Sequence, residues 1–172
     1  MLAGVAIIPS APVLVPELAG GAAVEVADLR AAVLAAAAVL PPCWVVVSGG
    51  ATDAVIGADG AGTFAGFGVD LSVQLGPGDG TAAAEPAVLP LSALIAGWVR
   101  GRARPDARAE VRIYAAPDPT VGLDATVVRG RQLRTEIERS AEPIGVLVVA
   151  DGANTVTAAA PGGHGHGVGA VC

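Results

Sequence analysis

The sequence predicts a single α/β domain with a mostly parallel central sheet flanked by helices. Continuous apolar runs rich in Val and Ile recur along the chain, as is typical of strands that are covered on both faces. Helical segments, either Ala-rich or amphipathic, lie between these runs, so strands and helices alternate. The length of 172 residues suits one domain, and right-handed crossovers are expected between its parallel strands.

The first half of the chain is predicted to form a strand, a loop, a helix and a second strand. Residues 1–8 are a short apolar run that ends at Pro9, and the segment IPSAPVLVPEL then has the three prolines of an irregular loop. A helix is predicted from about residue 21 to residue 40, where two consecutive prolines end it. Residues 43–48, CWVVVS, form the next buried strand.

The second half alternates three predicted strands with two predicted helices. In chain order these are a strand at 69–75 within a glycine-rich segment, a helix at 89–100, a strand at 111–115, a helix at 124–140 and a strand at 144–150. The helix at 124–140 carries Gly130 in its interior, which is unusual for a helix.

Composition and charge exclude several classes of protein. The hydrophobic fraction of 53% and the charged fraction of 15% indicate a globular chain and not a disordered one. The net charge of -6 argues against a nucleic-acid partner, because binding a polyanion requires clustered positive charge. One basic cluster is present, and we interpret it as a solvated linker between a helix and a strand: Arg100, Arg102, Arg104 and Arg108.

We expect a cytoplasmic protein without a membrane span. The uncharged stretch 31–52 is divided by two prolines, and the N-terminal segment lacks the positive charges of a signal peptide. Cys43 and Cys172 form no CxxC pair, so the sequence indicates neither a disulfide framework nor a zinc site. Cys43 follows two prolines at a strand start, where a thiol is expected to be a small buried apolar side chain.

No short motif marks a nucleophile, a nucleotide site or a metal site. The G-x-S-x-G elbow and the Lys-Ser/Thr ending of a phosphate-binding loop are both missing from the sequence. The two histidines, His164 and His166, lie in a glycine-rich terminal segment without a third ligand nearby. A solvated tail is therefore favoured over a metal site at these histidines.

Residues that follow the predicted strands define a pocket hypothesis, because parallel strands bring their carboxyl ends to one edge of the sheet and ligands bind there. The candidates are Ser10 after the first strand, Ser48, Gly50 and Asp53 after the second, and Asp151 and Asn154 after the last. The serine and aspartate side chains would also suit the capping of helices or turns, and the sequence leaves both roles open.

Three segments together resemble the subunit-B-like class III extradiol ring-cleavage dioxygenases. They are the first strand with IIPSAPVLVPEL, the second strand VVVSGG near position 50, and the late strand VLVVADGANT. The likeness is greatest to a divergent Ala-rich branch carried by actinobacteria, and it spans most of residues 1–160. The resemblance implies an α/β unit with a pocket at the strand ends and, in active members, a non-haem Fe(II) that serves ring cleavage.

The iron ligands that this resemblance implies are replaced in this chain. Active members carry a metal-binding His in a loop that reads approximately P-H-P-P-L-L-x-P-E, and the matching position here is Ser10. A second His ends their S-P-H motif, where this chain has Gly50. Their late catalytic His falls in a segment that here carries Asp151 and Asn154. A site of two histidines and one carboxylate needs two imidazoles, so iron binding is not expected.

We therefore expect a non-catalytic relative without a cofactor, which keeps the scaffold and binds a small molecule in a vestigial pocket. Oxygen atoms of Glu17, Asp53 and Asp151 would at most form a weak site for a harder ion. Two alternatives stay open. One is an enzyme, either a divergent dioxygenase that uses Fe(II) with unusual ligands or a different activity that uses Ser10, Asp53 and Asp151 as polar groups. The other is an assembly module that forms a homo-oligomer through an open sheet edge.

The composition changes abruptly after Ala160. Residues 1–160 are predicted to form the dioxygenase-like domain, and residues 161–172, PGGHGHGVGAVC, a flexible Gly/His tail that adds little to stability. The resemblance implies further helix and strand beyond this point, so we expect a shortened version of the family fold. Some apolar surface would then be uncovered, which favours self-association.

Overall fold

A computed structural model describes residues 1–78, 88–115 and 124–150. Its strands are β1 (Leu2–Pro9), β2 (Cys43–Gly50), β3 (Ala54–Ile56), β4 (Ala61–Thr63), β5 (Ser72–Gln74), β6 (Arg108–Ala115) and β7 (Ile144–Ala150). Its α-helices are α1 (Pro16–Ala19), α2 (Ala27–Ala38), α3 (Leu91–Ala103) and α4 (Asp124–Glu138). Short 3-10 turns cover Pro12–Leu14, Gly20–Ala23 and Phe64–Phe67. The predicted tail, 161–172, lies outside the described residues.

Five strands form the central sheet in the order β1-β7-β2-β6-β3. The first four run parallel to their neighbours, whereas β3 is antiparallel to β6. Strands β4 and β5 form a separate antiparallel pair. This topology confirms the predicted α/β fold with a mostly parallel sheet, and it makes β1 and β3 the edge strands of the described sheet.

The larger part of the core lies between one face of the sheet and the helices α2 and α3. Trp44 and Val46 of β2 and Leu147 of β7 are buried on this side. Helix α3 is buried over most of its length because α2 and the β4–β5 pair pack against it in addition to the sheet. The approach of β5 is close at Gly97, where a Cβ atom would lie 3.2 Å from the carbonyl oxygen of Gln74.

Among the described helices, only α4 covers the centre of the opposite face. Leu133 and Ile137 of α4 pack against Val45 of β2 and Val146 of β7. In this smaller cluster Leu133 and Ile137 are buried, whereas Val127 of the same helix is 48% exposed. None of the described helices is long and apolar enough to cross a lipid bilayer.

Edge strand β1 keeps one apolar face uncovered. Ala6 and Ile8 point into the core beneath α2 and α3, so the alternation of a strand turns Val5 and Ile7 to the α4 side. Val5 is 56% exposed and Ile7 is 72% exposed. Within the described part of the chain, Val5 and Ile7 are therefore exposed apolar side chains on the α4 side of the sheet.

Two of the differences from the predicted element bounds have local reasons. Helix α2 begins at Ala27 and not near residue 21, because Gly20 has a φ of 53° and a 3-10 turn occupies Gly20–Ala23. Strand β6 begins at Arg108, three residues before the predicted strand, since it pairs with β2 from Cys43 onward. The short antiparallel strand β3 was not predicted.

The solvated interpretation of the arginine cluster is wrong for Arg100. This side chain is only 7% exposed, and its guanidinium donates hydrogen bonds to the carbonyl oxygens of Gln74, Pro105 and Ala107 at 2.7 to 3.1 Å. Burial lowers the pKa of Arg100, although the nearby charge of Asp106 opposes this effect. Arg100 thus joins α3 to β5 and to the turn before β6.

Cys43 is not the buried apolar side chain that its sequence context predicted. It is half-buried, and its thiol donates a hydrogen bond to a carboxylate oxygen of Glu142 at 3.1 Å. Arg108 contacts the same sulfur at 3.3 Å and the same carboxylate at 3.0 Å. The thiol hydrogen bond, followed by the charge of Arg108, lowers the pKa of Glu142.

Candidate functional site

A cavity of about 370 Å³ lies at the carboxyl edge of the sheet, between α4 and strands β7, β2 and β6. Val47, Val148 and Leu133 supply aliphatic walls, and the ring of Tyr114 forms one side. Its position agrees with the rule that ligands bind beyond the carboxyl ends of parallel strands. The cavity is on the α4 side of the sheet, opposite the larger core.

Two glycines, one on the sheet and one on α4, line this space. Gly49 follows Ser48 in β2, pairs with Tyr114 of β6 and points to the α4 side, and Gly130 belongs to the inward stripe of α4. A Cβ atom at either position would meet no other atom within 4 Å. The space that side chains would fill at these two positions belongs to the cavity.

The mouth of the cavity is polar. Arg129 of α4 lies with its guanidinium carbon 6.0 Å from the centre of the Tyr114 ring. Its Nη1 atom donates to Oδ1 of Asp53 at 3.2 Å and to the carbonyl oxygen of Ala115 at 3.4 Å. Asp53 also accepts a hydrogen bond from the backbone N–H of Ala115 at 2.6 Å. The predicted site residue Asp53 is therefore at the rim, where it holds Arg129.

Ser48 and Gly50 line the cavity wall, as their place at the end of β2 predicts, but neither offers a side chain to it. The Ser48 hydroxyl is 5% exposed and accepts a hydrogen bond from Ser92 of α3 at 3.0 Å, on the other side of the sheet. At Gly50 a Cβ atom would lie 2.4 Å from Cγ2 of Ile113. The hydrogen bond to Ser92 accounts for the serine at position 48, and the close approach of Ile113 accounts for the glycine at position 50.

The structure places the other candidates in different surroundings. Ser10 lies just past β1, and its backbone N–H donates to the carbonyl oxygen of Ala150, which lines the cavity. Glu17 is exposed on α1 and forms a 3.8 Å ion pair with Arg102 of α3, so it belongs to the α2 and α3 side of the sheet. Asp151 and Asn154 lie outside the described residues.

The residues at the positions that the resemblance assigns to iron ligands do not suit Fe(II). One is the hydroxyl of Ser10 and the other is Gly50, where the contact with Ile113 leaves no room for an imidazole. Within residues 1–78, 88–115 and 124–150, no group of three His, Cys, Asp or Glu side chains could hold a metal ion. His164 and His166 lie outside these ranges.

Sequence reasoning missed the residues that give the cavity its chemistry. Arg129 and Tyr114 were not singled out, because nothing in the sequence shows that α4 brings them together. The one available signal was Gly130, a glycine inside an otherwise amphipathic helix. A missing side chain on the inward stripe predicts a gap beneath the helix.

Comparisons of the chain with protein-family models, with curated proteins and with solved structures find no match.

Proposed function

We propose that this protein is a metal-free relative of the class III extradiol dioxygenases that binds a small, mainly apolar molecule in the cavity beneath α4. The resemblance of three strand-end segments supports the relationship. The replaced ligands at Ser10 and Gly50 support a binding role without iron-dependent catalysis.

The observation that carries the binding proposal is the space between Gly49 and Gly130. A volume of about 370 Å³ lies within the range of sites for small organic molecules, and the described walls are mainly apolar with few polar groups, as is typical of such sites. A helix and a strand that merely packed together would be expected to fill this volume with side chains. Both glycines instead keep it open.

Binding of the neutral fluorescent probe phenylnaphthylamine would test the proposal. The protein is expected to bind the probe at one site per chain. Gly130→Leu and Gly49→Leu each place a side chain in the open space and should weaken binding by about tenfold or more.

Gly101→Leu is the matched control, because Gly101 is also a helical glycine whose Cβ would meet nothing within 4 Å, but it lies on α3. This variant should bind the probe as the unmodified protein does. Equal binding by all four proteins would show that the cavity is not the site. Circular dichroism would confirm that each variant is folded.

The proposal includes the absence of bound iron, which metal analysis of protein prepared without a His tag would test. We expect far less than one iron per chain. About one iron per chain that persists after deletion of residues 161–172 would favour the divergent dioxygenase. We further propose a cytoplasmic location without a nucleic-acid partner, in keeping with the free thiol of Cys43 and the net charge of -6.

Self-association is a second candidate function, favoured by one observation. Edge strand β1 is eight residues long, contains no charged residue and has Val5 and Ile7 exposed on the α4 side. Natural edge strands usually carry charges or are short or covered, which prevents pairing with other chains. The partner that we propose for β1 is a second copy of this chain.

A further inference from the structure

We propose that the ligand of the cavity beneath α4 is an amphipathic organic anion, with an apolar body between Gly49 and Gly130 and an anionic group at Arg129. The inference rests on the proposed binding function, because it concerns the same cavity. It adds the charge of the ligand, the residue that recognises that charge and a residue that competes with it.

Arg129 is the one charged side chain among the described residues that line the cavity. Its neighbours in the wall are aliphatic side chains, glycines, Tyr114, the hydroxyl residue Thr126 and the backbone of Ser48. A cation next to apolar walls attracts a ligand that combines an apolar surface with a negative group. It would disfavour a ligand with a positive group at that end.

Contacts with the described residues hold the guanidinium at the mouth of the cavity and leave donors for a ligand. Its carbon lies 6.0 Å from the centre of the Tyr114 ring, at the outer limit of a cation–π contact. The contacts to Asp53 and to the Ala115 carbonyl are both made through Nη1. A guanidinium has five N–H donors in a fork that matches a carboxylate or a sulfonate, so the contacts with the described residues leave most of its capacity.

Asp53 is an internal competitor for the ligand's anionic group. Its side chain is 56% exposed, and such an exposed ion pair is weak, so a ligand can displace it from Arg129. The hydrogen bond from the Ala115 N–H at 2.6 Å keeps the carboxylate at the rim. Removal of its charge should therefore strengthen the binding of an anion.

A matched pair of probes tests the charge of the ligand. Anilinonaphthalene sulfonate and phenylnaphthylamine share the same aromatic rings, but only the first carries an anionic group. We expect the anionic probe to bind more tightly. Its affinity should fall as sodium chloride is raised, whereas that of the neutral probe should not.

Two substitutions assign the effect to named residues. Arg129→Met should weaken binding of the anionic probe by about tenfold or more and leave the neutral probe within about twofold. Asp53→Asn should strengthen binding of the anionic probe by up to about fivefold, again without an effect on the neutral probe. Arg131→Met, on the exposed side of α4, controls for the loss of one positive charge and should change neither affinity.

The outcomes separate this inference from the binding proposal. If both probes bind equally and neither substitution discriminates between them, the inference is wrong while the apolar cavity remains a binding site. If Gly130→Leu binds both probes unchanged, the cavity is not the site and both proposals are wrong. If Arg129→Met does not fold, the Asp53→Asn result and the salt dependence decide the question.

Discussion

Ser48 illustrates how the partner of a side chain decides its role. Its hydroxyl is paired with Ser92 at 3.0 Å in the buried layer between the sheet and α3. Ser48→Ala and Ser92→Ala should each lower the free energy of unfolding by about 1 kcal/mol, because each leaves one buried hydroxyl without its partner. The double variant should lose less than the sum of the two, as urea unfolding of all four proteins would measure.

The same variants distinguish a structural role for Ser48 from a ligand role. Phenylnaphthylamine binding by Ser48→Ala should equal that of the unmodified protein, since the hydroxyl points away from the cavity. A large loss of probe binding in this variant, without a loss in Ser92→Ala, would make Ser48 part of the ligand site.

Substitution by alanine should affect the stability of the protein differently at the two consecutive glycines of β2. Gly50→Ala would bring a Cβ to 2.4 Å from Ile113, and we expect this overpacking to cost about 1 to 3 kcal/mol of unfolding free energy. Gly49→Ala meets no atom within 4 Å and should cost nothing or stabilise the strand slightly. Chemical denaturation would compare them, and equal stability of the two variants would contradict the geometry at Gly50.

At the scale of elements, one surface cluster connects the starts of three neighbouring strands. Cys43 begins β2, Arg108 begins β6, and Glu142 precedes β7 by two residues. The cluster fixes the amino ends of these strands at the edge opposite the cavity. The free energy of unfolding of the protein should depend on pH through this cluster, because the Cys43 thiol and Arg108 lower the pKa of Glu142.

We expect Glu142→Gln to lower the free energy of unfolding at neutral pH. A lowered pKa in the folded protein stabilises it above the unfolded-state value of about 4.3, and this contribution is lost as the pH falls through the folded-state pKa. The difference between the two proteins should therefore narrow in acid, as denaturation at pH values of about 7 and 3 would show. Glu25→Gln controls for the loss of one negative charge, and a difference independent of pH would contradict the prediction.

The elements that the sequence predicted well are those whose local pattern and tertiary environment agree. Strand β7 was found at its observed bounds, because IGVLVVA is a continuous apolar run and the strand is central in the sheet. Strand β3 has only three residues and is held by pairing with β6, a contact distant in sequence, so no local pattern marks it. The positive φ of Gly20 likewise places the start of α2 later in the chain than the sequence predicted.

At the scale of the whole molecule, the sequence predicted the edge of the sheet at which the cavity lies but not its face. Ser48 and Gly49 are adjacent in β2, yet alternation turns one toward α3 and the other toward α4. Which face holds a cavity depends on how fully each layer of helices fills it. That depends on residues far apart in the chain, such as Gly49 and Gly130, and no window of sequence contains both.

Pairing through β1 predicts a homodimer. An antiparallel contact about a twofold axis perpendicular to the sheet would place the exposed Val5 and Ile7 of both copies on one continuous face. Light scattering during size exclusion should then give about twice the chain mass of 16.7 kDa. Ile7→Lys should give a monomer because it puts a charge at the contact, whereas Val24→Lys, also at an exposed apolar residue, should remain dimeric. A monomeric unmodified protein would exclude this interface.

The two edges of the described sheet are unequal, and this difference limits how far such an assembly can grow. At the other edge, β3 has three residues and runs against the direction of the rest of the sheet, so it offers no counterpart to the eight-residue β1. Of the two edges of the described central sheet, only β1 offers an edge of the same length and direction as another β1, and a pair of chains uses up both. The contact is closed by symmetry, and we expect association to stop at two copies without continuing into fibres.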